Sequence, residues 1–234
     1  MGGAFFLPAP SCQSLLASPF LPAPFESAPM HPNPVYRQTP EGRNIAFARQ
    51  RGFGTLSING EDGPLVSHVP FILSEDGTEV ELHLVRSNPI LRALSEPQKA
   101  VIAAQGPDSY ISPDWYGITD QVPTWNYVAV HLRGTLEQSP QDDLHAMLDR
   151  LSAHFEAHLA PKPAWLTSKM SEGVMERMMR MIAPCRMQVA SISGTWKLNQ
   201  NKDDAVRLAA ADGVAAHGIG YALQDLAQLM RDLP

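Results

Sequence analysis

Between residues 54 and 137 the chain repeats one pattern: a short run alternating apolar and polar residues, then a turn signal. Thr55–Asn59 closes on Asn59-Gly60-Glu61-Asp62-Gly63, and Leu65–Leu73 follows. In that second run Leu65, Ser67, Val69, Phe71 and Leu73 share one face, and Val66, His68, Pro70 and Ile72 share the other. Pro70 has no N–H to give a ladder, so it marks an edge or a bulge. After Ser74-Glu75-Asp76-Gly77, residues Val80, Leu82 and Leu84 alternate with Glu81, His83 and Val85. Asn88–Leu94 reads as a short helix with Pro89 in its first turn. Lys99–Ala104 reads as a buried strand, and Val128–Glu137 alternates again. Period-two runs bounded by Gly, Asn and Asp predict antiparallel strands buried on one face.

Helical spacing enters late. Leu144, Leu148, Leu151, Phe155 and Leu159 make one apolar stripe over Asp142–Leu159. Val174, Met175, Met178, Met179 and Ile182 make another over Ser171–Ile182, with the methionines expected as core filler. A last strand is predicted over Arg186–Leu198. A terminal helix follows from Asp203, interrupted near Gly218 and Gly220. Strands joined by turns, with helices bunched behind them, predict a mainly β, α+β architecture: a β-barrel with appended helices.

The chain has 234 residues, of which 44% are apolar, enough for a sizeable core. Its formal charge of −6 argues against a broad cationic surface for nucleic acid or membrane. Cys12 and Cys185 cannot build a disulfide scaffold or a cysteine zinc site, and Cys185 is expected to be a buried small hydrophobe. This usage fits a reducing compartment, the cytoplasm. Residues 1–29 hold six of the 21 prolines and a single charge, Glu26. They lack the basic flank of an export signal and are expected to be a disordered extension or the product of a start placed too early. Residues 30–234 are expected to be the folded domain.

Several familiar chemistries find no motif: no phosphate-binding G-x-x-x-x-G-K-[ST], no G-x-G-x-x-G and no G-x-S-x-G. His154 and His158 stand four apart, but Glu156 is out of place for H-E-x-x-H, so a helix edge is the expected role. Three stretches remain. Tyr110, Trp115, Tyr116, Trp125 and Tyr127 are punctuated by Pro107, Pro113 and Pro123, a composition that suits a planar ligand or a subunit interface equally. His83-Leu84-Val85-Arg86-Ser87-Asn88-Pro89 ends a strand and opens a helix, which fits either a phosphate corner or an ordinary cap. Trp196-Lys197-Leu198-Asn199-Gln200-Asn201-Lys202 gathers donors beside an aromatic ring.

Together with Met30-His31-Pro32, Ser67-His68-Val69-Pro70-Phe71 and Val122-Pro123-Thr124-Trp125-Asn126-Tyr127, these stretches resemble the PaiB-type FMN-binding negative transcriptional regulators. The likeness runs from Met30 to about Pro234 and implies an antiparallel Greek-key split barrel of the FMN-binding type, paired as a homodimer with FMN at the interface. Arg86, Ser87 and Asn88 would then hold the phosphate. Ser67, His68, Val69 and Pro70 would follow the ring edge. Lys197, Gln200 and Asn201 would approach from the last strand, and Trp125, Asn126 and Tyr127 would close the pocket. The alternatives are a flavin-dependent oxidoreductase related to flavin reductases and pyridoxamine-phosphate oxidases, and a haem-binding relative with His68, His83 or His131 as axial ligand. DNA enters only through the family label, since the chain offers no basic footprint and no helix-turn-helix with basic flanks.

Overall fold

The structure is a computed structural model that describes residues 30–233. The expectation for residues 1–29 lies outside the described residues. A 3-10 turn at Pro34–Arg37 leads into α1 (Glu41–Arg51). Then come β1 (Phe53–Ile58), β2 (Leu65–Pro70), β3 (Ile72–Leu73), β4 (Glu79–Val85), α2 (Pro89–Ala93) and β5 (Gln98–Ile111). After a second 3-10 turn at Pro113–Tyr116 follow β6 (Thr124–Gln138), α3 (Leu144–Ala157), α4 (Val174–Met179) and β7 (Ile182–Lys197). The chain closes with α5 (Asp204–His217), β8 (Gly220–Tyr221) and α6 (Leu223–Arg231). No helix among the described residues is long and apolar enough to cross a membrane.

The strands form one antiparallel sheet in the order β2-β1-β5-β6-β7-β4-β3, with β8 added beside β5. The two ends of that order are consecutive in sequence: β2 pairs with β1, β3 pairs with β4, and Phe71 crosses between them. The sheet therefore curls into a Greek-key barrel that stays split at Phe71, as the alternation around Pro70 requires. Phe71 is itself fully buried, and its N–H is met by the carbonyl of Gly52, 2.8 Å away. Inside the barrel lie Leu56, Ile58, Val80, Leu82, Ile102, Val130, Leu132 and Met187, the inward members of each period-two run. Cys185 belongs to this core, and burial pushes its thiol up to about 12. An inert thiol of this kind packs as a small hydrophobe.

A second core sits where β5, β6 and β7 run past the barrel. There α5 and α6 pack on Ile111, Val128, Trp196 and Leu198. Arg207, 5% exposed, ties α5 to α6 through the Met230 and Arg231 carbonyls and to Asp204. This second core takes in much of the aromatic loop. Tyr116 is buried, and Trp115 lies against α5 so closely that a β-carbon on Gly213 would stand 2.4 Å from its ring. Only Trp125 is substantially exposed, at 47%, edge-on to Tyr110. The rings thus serve mainly to dock a helix within the protomer, a use that composition could not separate from ligand or subunit contact.

The methionines differ from expectation. The helical stretch around them shrinks to Val174–Met179, with Gly173 left-handed at its start. Met178 of that stripe is 56% exposed, so it is a surface residue rather than filler. The stripe on α3 buries Leu144, Met147 and Leu151, while Leu159 falls beyond the helix and is exposed.

Candidate functional site

Strand register places two rows of side chains on the outer face of the barrel. Thr55 stands opposite His68 on one side and Ala103 on the other; Ala103 faces His131, and His131 faces Ser193. The row beside it runs Val66, Ser57, Val101, Arg133 and Ser191. Residues paired in register share a face, and their neighbours Leu56, Ile102 and Leu132 point into the core. Seven of these ten side chains are small or short-branched, and His68, His131 and Arg133 stand among them.

It is also chemically incomplete. His131 Nδ1, Arg133 Nε and Ser191 Oγ are buried with no hydrogen-bond partner. Leaving such groups unmet costs about 1–3 kcal/mol each, so a folded protein seldom keeps three together without something to meet them. Burial, aided by the Arg133 charge, pushes the His131 imidazole below the ordinary value of 6.5. Burial alone does the same to His83 on β4, whose Nδ1 also lacks a partner.

Both rings are therefore held neutral, and the unfolded chain binds more protons than the native one below pH 6.5. Stability should be full above that pH and fall as pH drops through it. Asp76 is held at about 2 by Ser74 and Thr78, so its loss belongs to a lower range. Thermal unfolding between pH 7.5 and 5 checks this, and replacing His83 and His131 with Gln should flatten the slope. A slope unchanged in that double variant would contradict the assignment.

The predicted site residues fall into two groups. Ser67, His68, Val69, Pro70, His83, Arg86, Ser87 and Asn88 gather where β2, β4 and α2 meet. Asn88 Nδ2 donates to Ser67 Oγ at 3.1 Å, while Asn88 Oδ1 caps α2 by accepting from the Ile90 N–H. The His68 Nδ1 and Thr55 Oγ1 atoms are 3.2 Å apart. Val69 is buried, and Pro70 ends the β1–β2 ladder opposite Phe53. Arg86 donates to the Arg180 carbonyl at 2.9 Å and to Gln141 Oε1 at 2.6 Å, so part of its guanidinium anchors the segments flanking α3 and α4. Ser87 is exposed, and its carbonyl accepts from Arg92.

Trp125, Asn126, Tyr127, Lys197, Gln200 and Asn201 lie at the far end of β6 and β7. Asn126 is buried beside Met230 with its Oδ1 unmet. Tyr127 faces Lys197 across the ladder, and Lys197 donates to Thr124. The Gln200 amide is spent within the fold, donating to the Trp196 carbonyl and to the Val35 carbonyl of the first 3-10 turn and accepting from the Leu198 N–H. Asn201 accepts from the Tyr36 hydroxyl at 2.9 Å. At about 3.3 Å per residue, Tyr127 is roughly 13 Å along β6 from His131, and β7 meets β4 through Ile182–Gln188, with Pro184 opposite His83, which leaves Lys197 at the other end of the strand. A single protomer does not bring the two groups into one pocket. Thr55, Ala103 and Ser193 on the outer face carry no motif; only the pairing register reveals them.

A family model described as "Putative FMN-binding domain" matches residues 30–191. The Bacillus subtilis protease synthase and sporulation protein PAI 2 is 29% identical over 160 residues, covering 68% of this chain and 76% of that protein. An uncharacterized protein of Saccharomyces cerevisiae is 33% identical over 146 residues, covering 57% of this chain and 86% of that one. Among solved structures, the FAD and heme binding protein from Mycobacterium smegmatis superposes with a TM-score of 0.51 at 18% identity, covering 79% of this chain and 82% of its own. A conserved hypothetical protein from Mycobacterium tuberculosis gives 0.50 at 14% identity, with coverage of 72% and 91%. At such identities the two structures bear on the fold alone.

Proposed function

The chain belongs to the PaiB-type FMN-binding domain family, and from that premise we propose that it binds FMN on the outer face of the barrel, between two copies of itself. The unmet His131, Arg133 and Ser191 groups on a half-buried face carry this reading. A flavin offers an apolar ring to lie on small side chains and a polar edge of donors and acceptors for the unmet atoms. The Arg86–Ser87–Asn88 corner would take the phosphate, with Ser67 and His68 beside the ring. Trp125 of a second copy would close the pocket, which accounts for two groups too far apart in one protomer. FMN supplies redox chemistry when bound; the chain positions it and keeps the His131 imidazole neutral beside it. The role would be regulatory, with flavin occupancy as the signal and without direct DNA contact, in keeping with the net charge of −6.

Thr55→Trp tests the face without touching the core. The ring would fill the row and should weaken FMN at least ten-fold in a flavin fluorescence titration. Unchanged affinity would show that the flavin lies elsewhere. A second reading, haem, draws on the unpartnered His131 Nδ1 and on the likeness to the FAD and heme binding protein from Mycobacterium smegmatis. A Soret band in the purified protein would favour it, and flavin bands would favour FMN.

A further inference from the structure

The far group of motifs encloses a cavity that the flavin reading leaves unused. Its volume is about 160 Å³, and Tyr36, Tyr116, Lys197, Asn199 and Lys202 line it. A water occupies about 30 Å³ of liquid, whereas organic ligands take pockets of about 300–1,000 Å³. The volume suits a small ion and is too small to enclose an isoalloxazine.

Its chemistry is donor-rich and cationic. Lys197 lies 5.8 Å from the centre of the Tyr36 ring, and Lys202 lies 5.2 Å from that of Tyr116. Lys197 donates to Thr124 and Lys202 to Gln121, both neutral. Among the described residues neither amine forms an ion pair with a carboxylate. Burial pushes the Lys197 amine down, the mark of a cation desolvated without a counter-charge. Asn199 is 2% exposed and left-handed at φ +63°, and its Oδ1 accepts from the Tyr116 hydroxyl at 3.4 Å. That bond leaves Asn199 Nδ2 buried with no acceptor. The loop is held in place by the three bonds of Gln200 and by Tyr36 on Asn201. Two uncompensated amines and an orphaned amide donor thus meet in a preformed cavity, on a protein whose net charge is −6.

We propose that the cavity between Lys197, Lys202 and Asn199 is a binding site for a tetrahedral oxyanion, a phosphate group. This inference does not rest on the flavin reading. The test is thermal unfolding of the full chain against inorganic phosphate, with sodium chloride at matched ionic strength as control. Phosphate should raise the melting temperature saturably and chloride should not. Lys202→Gln removes a charge-assisted donor, and Asn199→Asp sets a negative charge in the site while keeping the acceptor for Tyr116 and a backbone that aspartate tolerates. Each should weaken phosphate at least ten-fold. No saturable effect, or one undiminished in both variants, would overturn the proposal. FMN and riboflavin then identify the source. If FMN displaces phosphate and riboflavin does not, the flavin phosphate is an occupant; if neither does, free phosphate is. Either result upholds the site. Flavin fluorescence, read separately in the same variants, reports on the outer face.

Discussion

Gly134→Ala is expected to lower the melting temperature by about 6–12 °C, taking an overpacking cost of about 3 kcal/mol and about 2–4 °C per kcal/mol for a chain of this size. A β-carbon on Gly134 would stand 2.1 Å from the Gln188 carbonyl oxygen. That oxygen belongs to backbone in the β6–β7 ladder, where the register shifts between Arg133 and Gly134. It cannot swing aside as a side-chain tip could, so the ladder itself must open. Gly42→Ala is the internal control: nothing lies within 4 Å of its added β-carbon, and it sits in α1. It should be neutral or stabilise by about 0.5 kcal/mol. Differential scanning calorimetry of both variants checks the pair. If Gly134→Ala melted like the wild type, the strand register that builds the outer face would be wrong.

Arg86→Ala should weaken FMN by at least ten-fold while leaving riboflavin almost unchanged. A charge-assisted bond to a phosphate is worth about 1.5–3 kcal/mol, and ten-fold in affinity is about 1.4 kcal/mol. Riboflavin has the same ring and no phosphate, so the ratio of the two affinities isolates the phosphate contact. The control matters because Arg86 also holds Gln141 and the Arg180 carbonyl, and its loss disturbs that corner. General damage would weaken both flavins alike. Equal losses, or none, would remove Arg86 from the phosphate site.

The barrel was legible because its strands obey one simple rule. Leu82 between Glu81 and His83, or Leu132 between His131 and Arg133, can alternate in and out only on a sheet with one covered face. Helix α1 was not legible. Its sequence, EGRNIAFARQR, carries a glycine and few apolar residues, and it is held by tertiary contacts such as Asn44 accepting from Trp196 Nε1 at 2.8 Å. The lengths of β5 and β6 were underestimated because their far ends pack on α5 and α6 rather than in the barrel, so the alternation is interrupted by Gly106, Pro107 and the aromatic positions; β7 starts earlier than its alternation, at Ile182, where Ala183, Pro184 and Cys185 are buried in succession.

The site was legible as motifs and not as a place. Ser67 and Asn88 are 21 residues apart and hydrogen-bonded, a contact that neither motif announces. Nothing in the sequence separates Gln200, whose amide is spent on the Trp196 and Val35 carbonyls and the Leu198 N–H, from Lys197, which lines a cavity with Tyr36. Likewise the row through Thr55, Ala103 and Ser193 consists of residues too ordinary to notice until register aligns them.

The central claim is that FMN and a second copy of the chain share one face. Sedimentation velocity of the full chain with added FMN, followed at the flavin's visible absorbance and in the ultraviolet, tests both halves at once. Bound flavin should sediment with a dimer at one FMN per protomer, and Thr55→Trp should remove flavin from the protein boundary. A monomer that carries FMN, or a stable dimer that carries none at saturating FMN, would contradict it.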